Sequence, residues 1–252
     1  MQKNSKKFPF DYSLYLKEIY FEEIQALIIW CSKFNLTKMS VSITCLAVAH
    51  CPNLTTLSLS IYSLYLVPFS INEGWTLPHL QNLSLPLHFD NSISSTLSRI
   101  VHNLESISVE DLGYAFFNFA KQELLALPHP GLQKLIQSPH QLKAIIVMGI
   151  ITKMSSLFKL LESQSNSLES IVLEDIYLYP DDLITESLKF HQLTSICVKK
   201  SYISKEGLKS IIDADLPKLQ HLKFENTGLY ESDWILLQNK YLNQVVHSGN
   251  LF

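Results

Sequence analysis

The sequence predicts an α/β chain of repeating strand-helix units, with parallel strands on the concave side of a curved right-handed solenoid of about seven repeats. Three observations predict it. One phrase occurs twice, as "HNLESISVEDLGY" at 102–114 and "NSLESIVLEDIYL" at 166–178. Its apolar skeleton, L-x-x-L-x-L, returns at a nearly constant interval. The segments between the returns carry helical rather than strand spacing.

With Leu, Ile, Val or Phe allowed at each apolar slot, the skeleton matches from Leu54, Leu80, Leu104, Leu142, Leu168, Leu193 and Leu219. The intervals are 26, 24, 38, 26, 25 and 26 residues. Five of them fall within the roughly 20–29 residues of a short strand-helix repeat. The long one reads as a repeat carrying an insertion near 113–131, where the chain is "YAFFNFAKQELLALPHPG" from Tyr114.

The elements follow in order. Residues 1–40 contain "YLKEIYFEEIQALIIWC", an amphipathic stretch that predicts an N-terminal helical cap. Residues 41–229 form the repeat domain. Between its strands, "SISSTLSRIV" aligns Ile93, Leu97 and Ile100, and "LFKLLESQ" places Leu157, Leu160 and Leu161 on one helical face. "YPDDLITESLKF" opens with Pro180 and two aspartates, which suit a helix N-terminus. In "SKEGLKSIID", Ser204 is the expected N-cap, with Leu208, Ile211 and Ile212 facing the core. Residues 230–252, with "ESDWILLQNKYLNQVV", predict a C-terminal helical cap. Such units bury their apolar faces only against neighbours, so they must stack and their ends must be closed.

Composition removes several function classes. Apolar residues make up 47% and charged residues 17%, which is a folding chain with ample core material. Seven glycines in 252 residues argue against Gly-rich phosphate cradles. A net charge of −3 gives no basic footprint for nucleic acid. No apolar run approaches the ~20 residues of a membrane helix, and the N-terminus lacks a signal peptide's apolar region, so a cytoplasmic or nuclear location is expected. Cys31, Cys45, Cys51 and Cys197 have no C-x-x-C spacing and are expected reduced.

The repeats resemble the leucine-rich-repeat family, in the strand-helix form of ribonuclease-inhibitor-like and F-box/LRR proteins. Segments such as "LQKLIQSPHQLKAI" and "LFKLLESQSNSLESIVLEDI" are similar to the repeats of fungal F-box-type proteins. The resemblance spans Val41 to Leu229, and it implies substrate recognition in a ubiquitin ligase. In that family an N-terminal F-box binds the adaptor of a cullin-RING ligase and the repeats hold the substrate. The chain departs from the family twice. The ninth repeat position, where the family prefers Asn or Cys, holds Tyr62, His88, Leu112, Ile150, Ile176, Ser201 and Thr227. The F-box opening of Leu-Pro, an acidic residue and an apolar helix is absent from the first 40 residues. A cap, an F-box remnant and a free-standing repeat module with no ligase link all remain open.

Strand alternation names the residues a partner would meet, because side chains point to opposite faces in turn. If the skeleton residues point inward, the concave face carries Ser106, Ser108 and Glu110, then Ala144, Ile146 and Met148, then Ser170, Val172 and Glu174. It continues with Ser195, Cys197 and Lys199, and then His221, Lys223 and Glu225. Earlier repeats offer Thr56, Ser58, Ser60, Asn82, Ser84 and Pro86. Ala144, Ile146, Met148 and Val172 form an apolar block, which is either an interaction site or a surface covered by the insertion.

No catalytic residues, metal or cofactor are expected. The fingerprints of nucleophilic hydrolases, metalloproteases, P-loops and dinucleotide-binding folds are missing. His102, His140 and His191 share one repeat position with Pro52, Pro78, Asn166 and Pro217, which reads as a turn into the strand. The acidic pairs Glu174-Asp175 and Asp181-Asp182 sit at a strand end and a helix start, where carboxylates are favoured structurally. The expected partner is a protein.

Overall fold

The structure, a computed structural model, describes residues 18–20, 53–59, 77–86, 97–99, 101–110, 130–139, 141–149, 151–153, 159–179, 189–241 and 245–247. Its strands are β1 (Glu18–Tyr20), β2 (Thr56–Ser58), β3 (Asn82–Pro86), β4 (Ser106–Glu110), β5 (Ala144–Met148), β6 (Ile151–Lys153), β7 (Ser170–Glu174), β8 (Tyr177–Tyr179), β9 (Ser195–Lys199), β10 (Tyr202–Ile203), β11 (His221–Glu225) and β12 (Val245–His247). The helices are α1 (Pro130–Gln137), α2 (Lys205–Asp213) and α3 (Glu231–Tyr241).

Seven of these strands, β2, β3, β4, β5, β7, β9 and β11, fall on the seven skeleton matches. With β1 and β12 at the edges they make one nine-stranded sheet, whose strands lie in chain order. Every pairing is parallel. The chain is therefore α/β with a parallel sheet. All skeleton residues from Leu54 to Phe224 are buried, in one continuous core. A buried leucine or phenylalanine of this kind contributes about 1.5–3 kcal/mol.

The helical signals resolve unevenly. In α2 the Ser204 hydroxyl accepts the Gly207 N–H at 3.1 Å, the N-cap expected of it, and Leu208 and Ile211 are buried. Leu160 and Leu161 lie in a short helical turn continued by a 3-10 turn at Glu162–Gln164. α1 starts on Pro130, where a missing N–H costs nothing, and buries Leu132, Leu135 and Ile136. In α3 the Asp233 carboxylate accepts the Tyr230 N–H at 3.0 Å, while Leu237 and Tyr241 pack inward. Residues 181–188, where a helix is expected, and most of the insertion lie outside the described residues.

Two edges depart from expectation. Glu18–Tyr20, within the stretch read as an amphipathic helix, is a strand paired with β2. Val245–His247, within the predicted C-terminal helical cap, is a strand paired with β11. The cause is the same at both ends. An open sheet edge presents unpaired N–H and C=O groups, and short segments rich in β-branched or aromatic residues pair with them whatever their local helical spacing.

A buried amide joins the insertion-bearing repeat to the next one. Gln164 is 4% exposed. Its Nε2 donates to the carbonyls of Ile136 and Pro139 at 2.7 and 3.1 Å. Its Oε1 accepts the Leu142 N–H at 3.3 Å and the Ser167 hydroxyl at 2.8 Å. Both donors and both acceptor sites of the amide are used.

Candidate functional site

The pairing register sets the predicted face residues into three columns across the sheet. The first runs Ser106, Ala144, Ser170, Ser195, His221, and the second runs Ser108, Ile146, Val172, Cys197, Lys223. The third runs Glu110, Met148, Glu174, Lys199, Glu225. Adjacent members stand about 4.8 Å apart. On β4, β5, β7 and β9 the alternation is uniform, with core-facing residues buried and the others half-buried. Strand β5, apolar throughout, is no more enclosed than its neighbours.

The columns differ in chemistry. The first is small and nearly uncharged until His221. The second is aliphatic at Ile146 and Val172. In the third, Met148 interrupts a charged series. Glu225 pairs with Lys199 at 3.8 Å and with Lys223 beside it, and that hydrogen bond raises the Lys223 pKa. Glu174 pairs with Lys200 at 3.1 Å. Burial pushes the Cys197 thiol up, more than Lys199 and Lys223 pull it down, which disfavours a thiolate nucleophile.

At the C-terminal edge of the strands lies a row that the sequence reading did not isolate. Gly149, Asp175, Lys200 and Asn226 each follow a strand and adopt φ of 68, 53, 46 and 51°. Their spacing repeats that of the strands. Gly, Asp and Asn tolerate this left-handed region, and lysine does so less readily. The turn lets the chain enter a second parallel sheet, in which β8 lies between β6 and β10. Three of the departures from the family's ninth position follow this row among the described residues, Ile176, Ser201 and Thr227. The buried Ser201 hydroxyl accepts the Ile176 N–H at 3.1 Å and donates to the Lys199 carbonyl at 2.6 Å.

At the N-terminal edge the turns are as predicted. Pro78, His102, Asn166, His191 and Pro217 are exposed, and among the described residues no group of three His, Cys, Asp or Glu could hold a metal. The residue just before each strand repeats one backbone motif. The carbonyls of Thr55, Gln81, Glu105, Lys143, Glu169 and Thr194 each accept two successive N–H groups of the next repeat, at 2.7–3.0 Å. Along the first four repeats this edge also forms a groove of about 560 Å³. The sequence reading missed it, having given roles only to the strand residues and to the turn position before them. Among the described residues no helix is long and apolar enough to cross a membrane.

No family model and no curated protein matches the chain. Among solved structures, the chain is similar to the leucine-rich repeat-containing protein LegL7 from Legionella pneumophila. The two are 13% identical with a TM-score of 0.31, over 93% of this chain and 95% of that one.

Proposed function

We propose that the protein is a leucine-rich-repeat solenoid, coiled right-handed, whose concave face binds a protein partner without catalysis. The observation that carries the proposal is the aliphatic pair Ile146–Val172 at the centre of the face, half-exposed and joined by Ala144 and Met148. An aliphatic or aromatic anchor of the partner sits on this block, and the charged third column fixes its orientation. The family resemblance extends this reading to a substrate receptor of an F-box/LRR-type ubiquitin ligase, with residues 1–40 meeting the adaptor. A second reading, a free-standing binding or inhibitor module, is favoured by β1, which places Glu18–Tyr20 on the sheet instead of in a separate helical box.

Ile146→Asp and Met148→Asp test the face. Each should weaken capture of a partner found by proximity labelling by about thirtyfold or more, the scale of a lost central anchor, while circular dichroism stays unchanged. Unaltered capture by the folded variants removes the block as the contact site. Co-precipitation with a cullin-RING adaptor distinguishes the two roles; its failure leaves the free-standing module.

A further inference from the structure

The groove at the N-terminal edge of the strands is built from the two positions flanking the first leucine of four successive repeats. The inner row is Thr55, Gln81, Glu105 and Lys143, and the outer row is Asn53, His79, Asn103 and Gln141. In later repeats several of the equivalent side chains are tied to one another or to the backbone, as the Glu105–Lys143 pair and Asn103 are within the groove. Lys218 donates to Gln192 at 2.6 Å, Thr194 donates to the Glu169 carbonyl at 3.0 Å, and Ser167 bonds Gln164. In the first four repeats the same positions open onto about 560 Å³. Asn103 holds one wall by donating to the Pro78 carbonyl at 2.7 Å.

The chemistry of the groove narrows its ligand. Glu105 and Lys143 pair at 3.1 Å and are half-exposed, so opposite charges stand together and neither an anion nor a cation is favoured. Thr55, Gln81 and Glu105 each spend both carbonyl lone pairs on the next repeat, so an added β-strand finds no backbone acceptor there. Recognition falls to the side chains, chiefly to primary amides. A primary amide offers a donor and an acceptor side by side, the complement of a peptide group. Among the described lining the aromatic rings are the imidazoles of His79 and His102, and no Phe, Tyr or Trp offers a sugar its broad stacking face. The rows span three strand steps, about 14 Å, which an extended chain covers in about four residues.

We infer that this groove is a second binding site, separate from the sheet face, for an uncharged polar polypeptide segment about four residues long held in extended form. The probe is a capped Ser-Gln-Ser-Gln peptide, followed through the side-chain amide signals of isotope-labelled protein. Those of Gln81, Asn103 and Gln141 should shift on titration, and the double variant Gln81→Ala, Gln141→Ala should bind about tenfold more weakly or worse. Its thermal unfolding should match the parent, because both side chains are exposed. Three results would overturn the inference: no shift with the peptide, equal affinity in the folded double variant, or stronger shifts with maltotetraose. The last would make the groove a carbohydrate site. Ile146→Asp should leave the titration unchanged, which separates this site from the face.

Discussion

At the N-terminal edge of the strands, Thr, Gln, Glu and Lys residues all present one carbonyl to two N–H donors of the next repeat. At the C-terminal edge, four residues turn the chain through positive φ, and three of them are Gly, Asp and Asn. The first edge is held by the backbone, which every residue except proline supplies in full. The second depends on which side chain tolerates a left-handed conformation. Side chains at the first edge are therefore free to vary, and the groove with its amides lies there. Side chains at the second are constrained by the turn.

One residue breaks the contrast and should have the largest effect. Before β5 the preceding segment is long, and a side chain helps hold the strand's approach. Gln164→Ala leaves the Ile136 and Pro139 carbonyls and the Leu142 N–H without this partner. Buried groups orphaned in this way cost about 1–3 kcal/mol each before relaxation, so a loss of about 3 kcal/mol in denaturant unfolding is expected. A loss under about 1 kcal/mol would mean that water replaces the amide.

The C-terminal edge should answer to residue type. Gly149→Val places a β-branched residue at φ 68° and should cost about 2 kcal/mol. Lys200→Asn should go the other way and stabilise by about 0.5 kcal/mol, since asparagine relieves the left-handed strain and the exposed Lys200–Glu174 pair is worth little. No change in stability for either variant would sink the claim that this edge selects its residues. Smallest of all is Gln220→Ala at the N-terminal edge. Its N–H still donates to the Thr194 carbonyl at 2.8 Å, so unfolding should move by no more than about 0.5 kcal/mol.

The seven inner strands and their register were legible because burial acts locally. Aligning the skeleton matches puts Ile146 beside Val172 and Ser170 beside Ser195 from the sequence alone. The edge strands were not legible, since Glu18–Tyr20 and Val245–His247 owe their conformation to partners remote in sequence. Gln164 gave no signal either, because one amide in a helical stretch has no period. The left-handed row was half-visible in Gly149, Asp175 and Asn226, and Lys200 obscured it. On the sheet face the columns could be written down in advance. The groove could not, because Glu105 in L-E-S-I looked like part of the copied frame when its side chain opens onto solvent.

Tyr241 shows a further kind of join, on the helical side. Its hydroxyl donates to the Ile211 carbonyl at 2.8 Å, and Lys240 reaches the Ala214 carbonyl at 3.1 Å, so α3 closes the C-terminal end of α2. Burial, aided by Asp213, pushes the Tyr241 pKa up to about 12 from 10.0. A raised phenol pKa favours the neutral folded form. That stability is complete below pH 10 and is lost as pH rises toward 12, and Tyr241→Phe should flatten this alkaline decline.

The order of the strands carries a consequence for descent. Because each strand of the large sheet lies beside those next to it along the chain, a duplicated stretch of one period can enter the gene and interrupt a single seam. The newcomer re-forms that seam on both its sides with the same carbonyls. The outer face of the sheet can thus lengthen by one strand per event, and each added strand brings three outward letters that are free to drift.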